Sequence, residues 1–351
     1  MIGTIEGIFN STINQVYYQN VNIRPSNVRA EGTPDDRLIF DQDDEIDPTY
    51  GRIILGTNTS EGYSYNLSAS IVKPLKNGFQ GSLAYSYGDA FSIYDGTSSQ
   101  NSSQWRGLHA IDGRNFWNEL ARSNFAQGSR VIGQIAYRKE YFNFGGTEIA
   151  LVYEGLSGDV STYIIGNGDN FDNEDSRNRA LVYVPETQSD IVLVDITDDD
   201  GNVTSSAEEQ WAALDEFIEN DEYLSARRGQ YTERNGFRAP FINTFDFRLL
   251  QDFYLTQPNG KRHTLQFSVD IFNLGNLINS AWGKRYFGSS SGIELIEFEG
   301  FQEDAEGNDT NVPTYSFQPF DNNDPFFGRL DDRGVISSRW QMQLGLRYIF
   351  Q

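Results

Sequence analysis

The chain contains no cysteine. That excludes a disulfide framework, a thiolate nucleophile and any zinc site with sulfur ligands. It fits an oxidising compartment, where a stray thiol is a liability. Histidine is nearly absent as well: only His109 and His263 are available for acid–base work near neutral pH. No run of 18 apolar residues occurs, so no transmembrane helix is expected. Positive charge is scarce. The 27 Lys and Arg stand against 50 Asp and Glu, for a net charge of −23, which argues against binding nucleic acid by neutralising its phosphates. Neither a P-loop nor a dinucleotide fingerprint is found. "GSSSG" at 288–292 has the G-x-S-x-G spacing of a nucleophile elbow, but it lies in a Gly/Ser loop without His and acid partners. No enzyme is expected. The opening "MIGTIEGIFN" lacks the charged and apolar blocks of a signal peptide.

What is abundant is aromatic and glycine: 19 Tyr, 25 Phe and 33 Gly. The aromatics favour strands and the glycines suit turns. Their arrangement is the main signal. "GYSYNLSASIV" (62–72) alternates Tyr63, Tyr65, Leu67, Ala69 and Ile71 with four polar residues. The same period of two runs through "FQGSLAYSY" (79–87), "SRVIGQIAYRK" (129–139), "TEIALVYEG" (147–155), "NTFDFRLLQDF" (243–253), "HTLQFSVDIF" (263–272) and the closing "QMQLGLRYIFQ". Period two predicts strands with one apolar and one polar face. Eight strands are expected, at about 3–18, 52–72, 79–91, 129–141, 147–164, 241–255, 262–274 and 337–350.

The connections are sorted by length. Residues 73–78, 143–146 and 256–261 are tight turns, two of them with Asn-Gly. The others are long, near 20–45, 92–127, 167–240 and 280–334. Short turns on one side and long loops on the other are the arrangement of outer-membrane barrels. The fold class expected is therefore all-β: an antiparallel transmembrane β-barrel segment of about eight strands, with long extracellular loops carrying a short helix. That helix follows Ser206 and Glu209, a capping box, and presents Trp211, Leu214, Phe217 and Ile218 on one face. "IVLVDITDDDGNVT" (191–204) reads as a short hairpin strand entering a polar turn.

Charges on the polar strand faces, Arg138, Glu154, Asp246, Arg248, Asp252 and Asp270, must point into the lumen, since lipid penalises them. Ion pairing among themselves is the plainer reading, and guiding a solute or holding a plug is the sharper one. Loop residues Trp105, Arg106, His109, Trp117, Trp282 and Tyr286 are candidate ligand contacts, against the commoner role of loop packing. The acid runs suit solvated loops. Asp198, Asp199 and Asp200, or Asp41 to Asp47, also offer oxygen ligands for a structural calcium, although no complete EF-hand pattern occurs.

Several stretches carry a more specific resemblance: "RNRALVYVP" (177–185), "FIENDEYLSARRGQYTERNGFRAPFINTFDFRLLQDF" (217–253), "FSVDIFNLGNLINSAWG" (267–283) and "QLGLRYIF" (343–350), with "TINQVYYQNVNI" and "NGFQGSLAYSYGDAFS" before them. They resemble the C-terminal barrel of TonB-dependent outer-membrane receptors, in particular the Oar-like and SusC-like subgroup. The resemblance implies active uptake of a solute across the outer membrane of a Gram-negative cell. It implies that these strands are the last eight of 22, with plug domain, TonB box and signal peptide outside this chain, so that the chain alone is inactive. Its implied partners are lipid, the plug and TonB, a surface lipoprotein, and the barrel-assembly machinery. Gln343, Gly345, Tyr348 and Phe350 resemble the C-terminal signal that this machinery reads. The rival architectures are an autonomous eight-stranded barrel acting as an anchor or adhesin through its loops, and a soluble β-sandwich.

Overall fold

The computed structural model describes residues 1–40, 45–115, 120–172, 177–258, 260–287, 292–320 and 336–350. Eight long strands dominate: β1 Ile2–Ser11, β2 Gly62–Lys76, β3 Phe79–Ser92, β4 Gly128–Tyr141, β5 Gly145–Leu156, β6 Ile242–Thr256, β7 Arg262–Phe272 and β8 Gln341–Phe350. Each pairs antiparallel with the next, so one sheet meanders in chain order from β1 to β8. Short Ala121–Arg122 pairs with the loop end of β3.

The register keeps the two faces apart across the whole sheet. Thr4 lies opposite Ser70, then Ala84, Ile132, Glu154 and Thr244 in turn. Leu249 lies opposite Val269 and then Leu344. A slip of one residue anywhere would turn an apolar set into the polar side. At the β2–β3 turn, Asn77 and Gly78 both have positive φ, 57° and 80°, the backbone of a two-residue hairpin whose twist matches its strands. The Gly78 carbonyl accepts from Arg138 N at 2.7 Å, and a Cβ on Gly78 would collide with the Arg138 carbonyl oxygen. The hairpins are staggered: Phe79 sits opposite Tyr137, above the foot of β4 at Tyr141, and Gly145 opposite Phe253, above the foot of β6 at Thr256. Stagger of this kind is strand tilt, as a barrel wall requires.

The wall is open. Among the described residues β1 pairs only with β2 and β8 only with β7, leaving both outer edges bare.

The long loops fold into a second layer over one end of the wall, and the hydrophobic core lies there. Tyr163, Ile165, Phe171, Val182, Leu214, Ile218, Leu224, Leu295 and Phe317 are all buried in one cluster. The helix Ala207–Asn220 lays Leu214, Phe217 and Ile218 into it, with Trp211 packed at the side, and Ser206 caps it by accepting from Glu209 N. Tyr163–Gly166 runs parallel to Ile293–Glu303, which forms a hairpin with Asp309–Ser316.

Three expected strands change and a further hairpin is found. The strand expected at 52–72 is divided: Ile54–Thr59 stands apart from β2, which starts at Gly62 and runs on to Lys76. The strand expected at 147–164 ends at Leu156, because the chain turns at Gly158, where a Cβ would strike the Ala239 carbonyl. The strand expected at 3–18 is two: Gln15–Asn20 pairs with Ile54–Thr59 in a hairpin of its own. The joint is at Thr12, whose N–H donates to Gly62, a glycine at φ 136°. The hairpin of 293–316 lies inside what reads as a loop of 280–334.

Candidate functional site

The apolar face of the wall is banded. Toward the loops, Phe9, Tyr63 and Phe91 stack in a row, with ring centroids 6.4 and 5.0 Å apart, and Tyr153 meets Phe245 at 4.9 Å. Toward the turns, Phe79, Tyr137, Phe253, Tyr348 and Phe350 all stand exposed. Between the two rows lie aliphatic side chains, among them Leu67, Leu83, Ile135, Ile149, Leu344 and Leu346, all exposed as well. A soluble monomer does not present an apolar surface this large. An aliphatic belt between two aromatic rows is what a lipid bilayer selects. Near the turns, three polar side chains on this face satisfy one another. Thr147 Oγ1 donates to Gln251 Oε1 at 2.7 Å, and Gln251 Nε2 donates to Tyr141 OH at 2.9 Å, as a medium without hydrogen-bond partners demands.

The opposite face carries Arg138, Glu154, Asp246, Arg248, Asp252 and Asp270 together, and each has a partner. Arg248 Nε lies 3.2 Å from Asp270 Oδ1, its direct cross-strand neighbour. Glu154 pairs with Arg130 at 2.6 Å, a partner the sequence did not single out. Arg138 is a hub, 2.6 Å from Asp252 and 3.6 Å from both Glu140 and Glu148. Asp246 Oδ1 accepts from Asn273 N at 2.8 Å. This face is polar and charged, and its named charges are bonded among themselves or to backbone.

The family model of the outer membrane beta barrel domain matches residues 6–293, most of the chain. The chain belongs to this family. It is an outer-membrane barrel protein, and the two faces are those of a membrane wall. No curated protein matches it, and no solved structure does.

In this barrel the tail residues divide between the faces. Gln343 and Gly345 point to the polar side, opposite Asp270 and Ser268. Tyr348 and Phe350 point to lipid, and the Tyr348 hydroxyl bonds His263 Nδ1. His263 thus belongs to the aromatic row. Gly345 has a packing reason: a Cβ there would meet Ser268 Oγ.

The candidate loop contacts separate. Trp105 is wholly buried, donates from Nε1 to Asn115 Oδ1 at 2.9 Å and has Arg114 over its ring at 5.5 Å. This burial fits the commoner role, packing of the loop layer. Arg106 ends the same helix, Asn101–Arg106. His109 is buried at the wall of a cavity. Trp282 is more than half exposed in another loop, with Tyr286 nearby in sequence. Trp117 lies outside the described residues, as do Asp41 to Asp44 and the Ser residues of 288–292. Asp198 is exposed, but its carboxylate is taken up by its own turn. Its Oδ1 accepts from Asp200 N and Asn202 N at 3.0 and 2.8 Å, and the Asn202 side chain first, then these backbone bonds, hold its carboxyl below the usual range. Asp199 and Asp200 are exposed on the same turn. Among the described residues no three metal-binding side chains gather.

Two arginines that the sequence reading passed over join the loop layer to the wall. Arg234 is buried and donates to the carbonyls of Ile93 at 2.6 Å, Ser92 at 2.5 Å and Ala121 at 3.2 Å. Burial lowers its proton affinity, opposed by the Asp95 charge. Arg238 donates to Ala126 O at 2.9 Å and Gly158 O at 3.2 Å. Between them Asn235, at φ 55°, reaches Arg122 O and Asn124 Oδ1, both at 2.8 Å. Their only sequence signal is "RNGFR", an Asn-Gly turn flanked by two arginines. Deeper in the layer, Arg37 is sealed against Asp35 at 2.8 Å, with the rings of Phe171 and Tyr231 at 5.0 and 5.4 Å.

Proposed function

We propose that the chain is the C-terminal wall of a TonB-dependent outer-membrane receptor, which takes up a solute with energy from the inner membrane. The observation that carries this reading is the open sheet. An unpaired strand edge has no partner in hydrocarbon, where each bare peptide group costs several kcal/mol (order of magnitude). Both β1 and β8 present such an edge, so further strands complete the ring in the membrane. A loop layer with its own core is also more than an eight-stranded anchor needs, and it suits a receptor that must shape an outer binding surface. The stretches that resemble such receptors run through both wall and loop layer. The self-paired charges of the polar face would then line the lumen beside the plug.

The absence of native cysteine makes the test direct. Cysteine pairs are scanned along β1 and β8, from Thr4 with Gln343 onward, in outer membranes carrying the protein. The receptor-wall reading expects no disulfide within the chain at any register. A ladder of β1–β8 disulfides would establish an autonomous eight-stranded barrel and end this proposal.

A further inference from the structure

The protein carries a net charge of −23, yet one cavity in the loop layer reverses that sign. It occupies about 550 Å³ between the helix Asn101–Arg106, the strand pair around Val160–Ser161 and the Arg234–Asn235 joint. That is within the usual range for a small-molecule site of roughly 300–1,000 Å³. Three arginines line it, Arg177, Arg179 and Arg234, against two acids, Asp95 and Asp159. Asp95 is already engaged, accepting from Ser92 Oγ at 2.8 Å and Asn124 N at 2.9 Å. Asp159 is half exposed and 4.0 Å from Arg285.

The walls also hold unmatched polar atoms. Among the described residues, Ser161 Oγ and Arg234 Nε are buried without a hydrogen-bond partner. Both residues are more than nine-tenths buried. A buried donor left unmade costs about 1–3 kcal/mol, so its retention calls for an account. Arg234 gives its terminal nitrogens to carbonyls, which carry no charge. Its Nε stays free to donate, and the Asp95 charge acts on it from a carboxylate already engaged elsewhere.

We propose that this cavity binds a small solute through an oxyanion group, a carboxylate or a phosphate, with Arg177, Arg234 and Ser161 as its polar contacts. Arginine suits that task because its planar fork matches both groups. The arginines outnumber the acids on these walls, so an anion is favoured over a neutral or cationic solute. In the receptor reading above, on which the transport meaning of this site rests, the cavity is where the solute is first held. Binding itself needs no transport, so the two readings can fail separately.

The test is calorimetric titration of the full chain, extracted from outer membranes in detergent, with inorganic phosphate, citrate and, as a neutral control, glucose. Saturable binding of phosphate or citrate is expected, and none of glucose. Arg177→Gln should weaken the anions about tenfold. Ser161→Ala should weaken them about threefold, and it removes a hydroxyl that holds nothing in place, so folding is preserved. Amide circular dichroism checks both variants. No saturable anion binding by the unaltered chain, glucose binding as tightly, or unchanged affinity in the folded Ser161→Ala variant would each overturn the site.

Discussion

Arg234 shows how much one side chain can decide in this molecule. It reaches three carbonyls at the end of β3 and in the strand leading to β4, none of them near it in sequence. Lysine cannot replace it, since a single ammonium does not span such a fork. Arg234→Met keeps the apolar stem and removes the head. Three carbonyls then lose this partner, and the two buried contacts, to Ile93 and Ala121, cost about 1–3 kcal/mol each before relaxation. We expect the loop layer to loosen from the wall by about 3 kcal/mol. Amide exchange reports it at Ser123 N, which donates to Ala90 O, and at Asn235 N, which donates to Thr162 Oγ1. Exchange as slow as in the unaltered chain would show that Arg234 is not the pin. The sequence could not reveal this role. An arginine in a polar stretch reads as solvated, and only the fold brings Ile93 and Ala121 to it.

The elements differ in how far they can be read from sequence, and the reason is locality. Alternation is a property of neighbouring residues, so the long strands stand out. The helix Ala207–Asn220 is also local: its cap, Ser206, and the acid that completes the box, Glu209, lie three apart. The hairpin of 293–316 escapes because its alternation fails. Leu295 and Ile296 are both buried in succession, and its pairings with Tyr163–Gly166 and Asp309–Ser316 shift register. Its parallel partner lies more than a hundred residues away. A signal was present at its tip, though. Asp304, Gly307 and Asn308 repeat the spacing of Asp198, Gly201 and Asn202, and the two aspartates accept the same set of bonds. The candidate site divides in the same way: period two put the inward charges on one face, but their partners follow from register. The helix cap yields a prediction with a sign. Hydrogen bonds from the Ser206 backbone and side chain hold the Glu209 carboxyl below its usual range. A carboxylate depressed in the folded state stabilises above its unfolded value, near pH 4, and that stability is lost as pH falls through the folded value. Amides 207–210 should therefore exchange faster, relative to the rest of the helix, as pH drops from 6 to 3. Ser206→Ala should remove about 1 kcal/mol of helix stability, and Glu209→Gln, which cannot ionise, should abolish this pH dependence. Survival of the dependence in the Glu209→Gln variant would place its cause elsewhere.

At the scale of the whole molecule, the protein inverts the usual order of a soluble fold. The apolar face of the wall is exposed and the buried core sits in the loops. The tail belongs to this scale. In the proposed receptor, Tyr348 and Phe350 serve insertion as well as the aromatic row, so replacing both by Ala should lower the amount of folded protein in outer-membrane fractions several-fold. An unchanged yield would remove the assembly role. The two-faced wall itself is tested by moving one charge between faces. Leu344 is 64% exposed at the middle of β8, and Gln134 is exposed on the polar face of β4. In water both are surface positions, where a new arginine changes stability by roughly 0.5 kcal/mol or less. In a bilayer they are opposite environments. Leu344→Arg places a guanidinium against hydrocarbon and should cost about 2–4 kcal/mol, whereas Gln134→Arg joins a water-facing surface and should cost little. Urea unfolding of outer-membrane vesicles carrying each variant measures the difference. Equal costs would mean that the apolar face meets protein or water instead of lipid. A large gap confined to Leu344→Arg assigns that face to the membrane.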